Sequence, residues 1–143
     1  MAYTPLQPGE IGPNERLNSF INASPTIWEK AGAQIDVPAH RAVMYDTDGN
    51  VVIATSGDKA IGLILSSTLD PIFQNAPVHI LIKYIGLGIA AAAIAKGDLL
   101  TVNANGELIP ATSGAFIFGR AFTAAPTPGE AVQVQINQMG YMA

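Results

Sequence analysis

Asp46-Thr-Asp-Gly-Asn-Val-Val-Ile-Ala-Thr-Ser-Gly57 recurs without a gap as Asn103-Ala-Asn-Gly-Glu-Leu-Ile-Pro-Ala-Thr-Ser-Gly114. Five of the twelve aligned positions are identical, and Asp/Asn or Val/Leu/Ile exchanges fill most of the others. At the same spacing Gly62 falls on Gly119; after a three-residue shift, Val78 to Gly86 aligns with Val132 to Gly140. The chain therefore reads as one unit of strands and turns written twice, with no catalytic side chain at the matched positions. Such a scaffold presents surfaces, which is the first reason to expect no enzyme.

Each copy opens on a hairpin. Asp48-Gly49 joins Arg41–Asp46 to Val51–Ala54, and Asn105-Gly106 joins Asp98–Asn103 to Glu107–Pro110; both dipeptides suit the positive φ of a tight turn. A third strand follows at Ala60–Ser66 or Phe116–Thr123, and a fourth at Val78–Ile85 or Ala131–Asn137. In the last of these, Val132, Val134 and Ile136 alternate with Gln133, Gln135 and Asn137, the pattern of a strand with one wet face. The third strands are apolar on both sides. Ile61, Leu63, Phe116 and Phe118 therefore lie either in the core of a closed barrel or sandwich, or against another subunit. Gly62 and Gly119 imply close backbone approach or a bulge there. Between the copies, the alanines of Gly86-Leu-Gly-Ile-Ala-Ala-Ala-Ala-Ile-Ala-Lys-Gly97 predict one or two helical turns closed by Gly97. The expected fold is all-β: a small pseudo-duplicated barrel or sandwich of about eight strands, spanning residues 39–143, with halves at 39–86 and 96–140.

Residues 1–38 differ in character. Pro5, Pro8, Pro13, Pro25 and Pro38 break any long element, yet Leu6, Ile11, Leu17, Phe20, Ile27 and Trp28 supply apolar anchors. An extended arm fits, lying either on a neighbouring surface or back across its own domain. Trp28 is then either an anchor in a neighbour's pocket or part of the chain's own packing. Removing residues 1–30 is expected to leave a folded domain.

The chain has 143 residues, a one-domain length at which roughly 68% of the unfolded surface is buried. It is 49% hydrophobic and 13% charged, against roughly 25% charged in ordinary soluble domains, so part of its exterior is expected to be covered by something else. The net charge is −4 and the seven basic residues are scattered, which argues against a nucleic-acid partner. No cysteine is present, excluding disulfides and thiolate chemistry. The first residues lack a signal peptide's basic start and apolar core. The longest apolar run, Tyr84 to Ala95, is far short of the ~20 residues that span a bilayer. A soluble protein made in the cytoplasm, with no membrane partner, is expected.

Asp46-x-Asp48-x-Asn50 begins like a calcium loop. The glycine and bidentate carboxylate needed at its sixth and twelfth positions are replaced by Val51 and Gly57, so turn chemistry explains it better. His40 and His79 are the only imidazoles; His79, between Val78 and Ile80, falls on the wet side of a strand. Ser56 and Ser66 sit in no Gly-x-Ser-x-Gly elbow. No metal, cofactor or small-molecule substrate is expected. Asp58-Lys59-Ala60 matches the lysine hairpin of lipoyl and biotinyl carriers, but Lys96-Gly97-Asp98 follows it instead of preceding it, and the second copy has Ala115-Phe116 there.

The run Ile94-Ala-Lys-Gly-Asp-Leu-Leu-Thr-Val-Asn-Ala-Asn-Gly-Glu-Leu-Ile-Pro-Ala-Thr-Ser-Gly114, with Ile117–Phe122 and Gly129–Val134, resembles the capsid decoration (cement) proteins of tailed bacteriophages. In the first copy, Ala42–Asp46 and Ala60–Ile64 are similar to the small head-stabilising proteins that carry a proline-rich arm. The resemblance covers about residues 38–137. It implies a homotrimer on the outer surface of the virion that clamps neighbouring major capsid subunits. The arm residues Leu6, Ile11, Leu17, Phe20, Ile27 and Trp28 would then be capsid contacts. Two other expectations stand beside it: a fibre-base or tail-associated virion protein, and, from a different class, a small carrier or ligand-binding barrel modified at Lys59.

Overall fold

A computed structural model describes residues 25–65 and 70–143 as ten strands in two antiparallel sheets. The first sheet holds β1 (Thr26–Lys30), β2 (Ala42–Tyr45), β3 (Val51–Ile53), β4 (Gly62–Ile64) and β5 (Pro77–Leu81), in the order β1-β5-β4-β2-β3. The second holds β6 (Tyr84–Ile89), β7 (Leu99–Val102), β8 (Leu108–Pro110), β9 (Phe116–Ala121) and β10 (Ala131–Tyr141), in the order β6-β10-β9-β7-β8. The two orders are the same. So are the registers: Ala42 faces Leu63 as Leu99 faces Arg120, Ile64 faces Ile80 as Ala121 faces Val134, and Trp28 faces His79 as Leu87 faces Gln133.

The duplication thus extends one strand further toward the N-terminus of each copy than the sequence alignment does. β1 lies within the proline-punctuated stretch read as arm; it pairs with β5, and Ile27 packs against the core of the first sheet. A cut at residue 30 would therefore remove an integral strand. β6 replaces the helical turns expected after Gly86. Helix propensity there is overridden by packing: Gly86 lies so close to the Leu81 side chain that a side chain of its own would collide with it, with Leu63 in ordinary contact. Ala90 and Ile94 then continue as isolated bridges to Leu108 and Ala125, as Ala31 and Ile35 do to Val51 and Ile72. Each sheet stays open, because its edge strands meet only through one such parallel bridge. Among the described residues the fold is all-β, as expected, but with ten strands and no barrel closure.

The hairpins show why Asp and Asn exchange between copies. Asp46 Oδ1 accepts hydrogen bonds from the amides of Asp48 and Asn50, both at 2.9 Å. Asn103 Oδ1 accepts from Asn105 at 2.9 Å and Glu107 at 3.0 Å. Only an acceptor oxygen is required, and Gly49 and Gly106 take the positive φ, 79° and 72°. Asp46→Asn should leave stability within about 0.5 kcal/mol, whereas Asp46→Ala should cost about 1–2 kcal/mol, read from urea midpoints.

Side chains alternate into distinct cores. Ile64, Val78 and Ile80 join Val43 and Val51 beneath the Ala31–Ile35 strap. Their counterparts in the second copy, Ala121, Val132, Val134, Leu100 and Leu108, are likewise buried together. Leu63 and Leu81, on the other face of the first sheet, share the second half's cluster with Phe118 and Ile136. That explains a third strand apolar on both sides: β4 has both faces covered.

Candidate interaction surfaces

Of the exposed large apolar residues, Trp28 lies on the edge strand β1 and Tyr84, Ile85 and Leu87 on the edge strand β6; the others lie on inner strands or in loops. β6 carries no charge in Tyr84-Ile-Gly-Leu-Gly-Ile89. Its glycines turn toward Leu63, Leu81 and Leu108, which leaves Ile85 half-exposed and Leu87 40% exposed. Together with Leu63, Leu65, Leu81 and His40 they line a groove of about 310 Å³. Edge strands of stable monomers carry charges, prolines or bulges that block further pairing; β6 has none within its length, Lys83 standing just before it with Nζ 5.1 Å from the Tyr84 ring centre. A surface of this kind is suited to being covered.

The matching edge of the first sheet is aromatic and polar. Trp28, 65% exposed, stacks flat on its cross-strand partner His79 with ring centres 4.2 Å apart. His79 is therefore half-buried under an indole and not simply wet. The residue after Trp28, Glu29, accepts a 2.9 Å hydrogen bond from the Tyr45 hydroxyl. Partial burial, then the Glu29 hydrogen bond and charge, push the Tyr45 phenol above its ordinary value. The neutral hydroxyl is the favoured form, so this link is complete below pH 10 and weakens only in stronger alkali.

Of the residues singled out in the sequence, Leu6, Ile11, Leu17 and Phe20 lie outside the described residues. Ile27 is half-buried and Trp28 exposed on the same strand. Leu63 and Phe118 are buried in the layer between the halves. Ile61 packs partly against the first-half core, and Phe116 is half-buried edge-on to Tyr141, 5.3 Å between ring centres. The structure does not bring these four together. Leu87 was hidden from sequence reading inside the Gly86–Gly97 run taken for helix, and Ile85 was read as the end of the preceding strand; the signal was the absence of charge over a strand-length stretch. Arg41 and Glu107 were also missed, being far apart in sequence: they form an ion pair at 3.4 Å across the halves, and Arg41 also donates to the Asn105 carbonyl at 3.1 Å.

Groups with reactive potential are occupied in turns. The carboxylate of Asp46 serves its hairpin. Asp58 accepts from the Ser56 hydroxyl at 2.6 Å, which holds its carboxyl below the usual range. Among the described residues no three His, Asp or Glu side chains converge on a point that could hold a metal ion.

No family model and no curated protein matches the chain. Among solved structures it is similar to one described as the head fiber gp8.5 N base in bacteriophage phi29, with a TM-score of 0.56 and 18% identity over 82% of this chain and 97% of that one. At this identity the likeness is one of architecture: this chain shares its fold with the base of a phage head fiber.

Proposed function

We propose that the protein is a structural, non-enzymatic component of a tailed-phage virion, a homotrimer that binds the outside of the assembled capsid and clamps neighbouring major capsid subunits. One observation carries this reading. A duplicated β-scaffold with a charge-free β6 edge, resembling decoration proteins along its sequence, has the architecture of a phage head fiber base. Binding the lattice in preference to loose subunits stabilises the lattice by mass action, and linked weak contacts add through effective concentration. A base for a projecting fibre is the second reading, favoured by the same likeness.

Purified capsids mixed with the protein should gain density over the whole shell in electron micrographs and break at higher temperature than bare capsids. Deleting residues 2–24, and so sparing β1, should weaken attachment by about tenfold or more if the arm's apolar anchors bind. Density confined to the tail or to one vertex, or no binding, would overturn the clamp.

A further inference from the structure

We propose that the contact joining the two halves is used again between copies: the free face of the second half, at Leu99, Arg120 and Phe122, docks head-to-tail on the first half of another copy, with Arg120 meeting Glu29.

The contact inside the chain is not two-fold. On the first half it uses Ala42, Ile53, Gly57, Leu63 and Leu81; on the second it uses Gly86, Gly88, Thr101 and Gly106. None of the second set is the register counterpart of the first. The hairpin glycine Gly106 is buried against the Ala42 backbone and Ile53, whereas its counterpart Gly49 has open space around it among the described residues. Gly57 abuts Thr101 and the Phe116 carbonyl, whereas its counterpart Gly114 likewise meets open space. An interface between unlike surfaces leaves one unused surface of each kind on every chain, and such surfaces propagate into a ring or a filament.

The unused surfaces have complementary chemistry. The counterpart of buried Leu63 is exposed Arg120, and the counterpart of Gly88, which Leu63 approaches, is Glu29. Moving the internal contact onto the free surfaces sets Arg120 against Glu29, Leu99 against the Gly49 turn, and Gln135 against Ile27. Larger side chains replace glycine on one side, so the sheets stand further apart, and two long charged side chains span the gap. That suits assembly of folded subunits, not a folding core. Arg120 already has one donor on the Gly97 carbonyl at 3.2 Å, and Glu29 is held by Tyr45, so both are partly oriented beforehand.

This deepens the proposed reading by assigning the subunit interface, but it rests on the internal contact and can fail separately. Sedimentation of the full chain should show a concentration-dependent oligomer. Arg120→Glu and Glu29→Arg should each weaken association by about tenfold or more while keeping the wild-type circular dichroism, and the double exchange should restore it. Because the chain has no cysteine, Arg120→Cys with Glu29→Cys should yield covalent multimers on mild oxidation. A wild type that stays monomeric, single variants that associate normally, a double exchange without recovery, or only monomer after oxidation would each overturn the interface. Covalent multimers that do not bind capsids would leave the interface standing and remove the proposed function.

Discussion

Phe118→Ala is expected to lower the unfolding free energy by about 3–5 kcal/mol. Phe118 is fully buried and the largest of the completely enclosed side chains. It lies in the layer where Leu63 and Leu81 of the first sheet meet the second half, so its loss opens a cavity between two sheets that cannot both collapse onto it. With ordinary domains stable by only about 5–15 kcal/mol, the variant should unfold at a far lower urea concentration. Phe116→Ala, two residues away, is the control. Its ring is half-buried and edge-on to Tyr141, so about 1–2 kcal/mol is expected. Equal losses at the two positions would mean that the shared layer is not what binds the halves.

Gly62→Val and Gly119→Val should each cost about 3 kcal/mol or more. Neither glycine needs the left-handed region; both are required for space. A Cβ at Gly62 would run into the Leu81 carbonyl and the Ile80 side chain, and one at Gly119 into the Gln135 carbonyl and Val134. Backbone carbonyls within a paired sheet cannot step aside as a flexible side chain could. The matching obstruction in both copies is itself a mark of the duplication. Gly129→Ala separates the two causes: its methyl meets nothing within 4 Å but its φ is 94°, so about 1–2 kcal/mol of backbone strain is all that is expected. Urea midpoints for the three variants would test the ranking, and a mild effect at Gly62 would remove the steric account.

Several features were legible without coordinates because they obey short-range rules. The turn dipeptides Asp48-Gly49 and Asn105-Gly106 located both hairpins, and the alternation from Val132 to Asn137 located the body of β10. Close approach at Gly62 and Gly119 also followed from their place in strands otherwise rich in large apolar residues. β1 escaped because Pro25 and Pro38 flank it, and a short edge strand between prolines has no periodicity long enough to read. β6 escaped because its Gly86 and Gly88 run straight into the alanines that follow it, and the weak preferences of such residues are readily overridden by packing. Thr26-Ile-Trp-Glu-Lys30 and Ile85-Gly-Leu-Gly-Ile89 share no identical position; their equivalence is visible only in the register each makes with β5 or β10.

From sequence alone came the module: its hairpins, its alternating faces and its repetition, because φ preferences and a period of two act over a few residues. Tertiary structure alone decided how the modules meet. Leu63 and Arg120 hold the same place in the same pattern, yet one is sealed between sheets and the other is open to solvent. No local rule separates them, since the difference depends on which half lies on which, and that follows from contacts between residues distant along the chain.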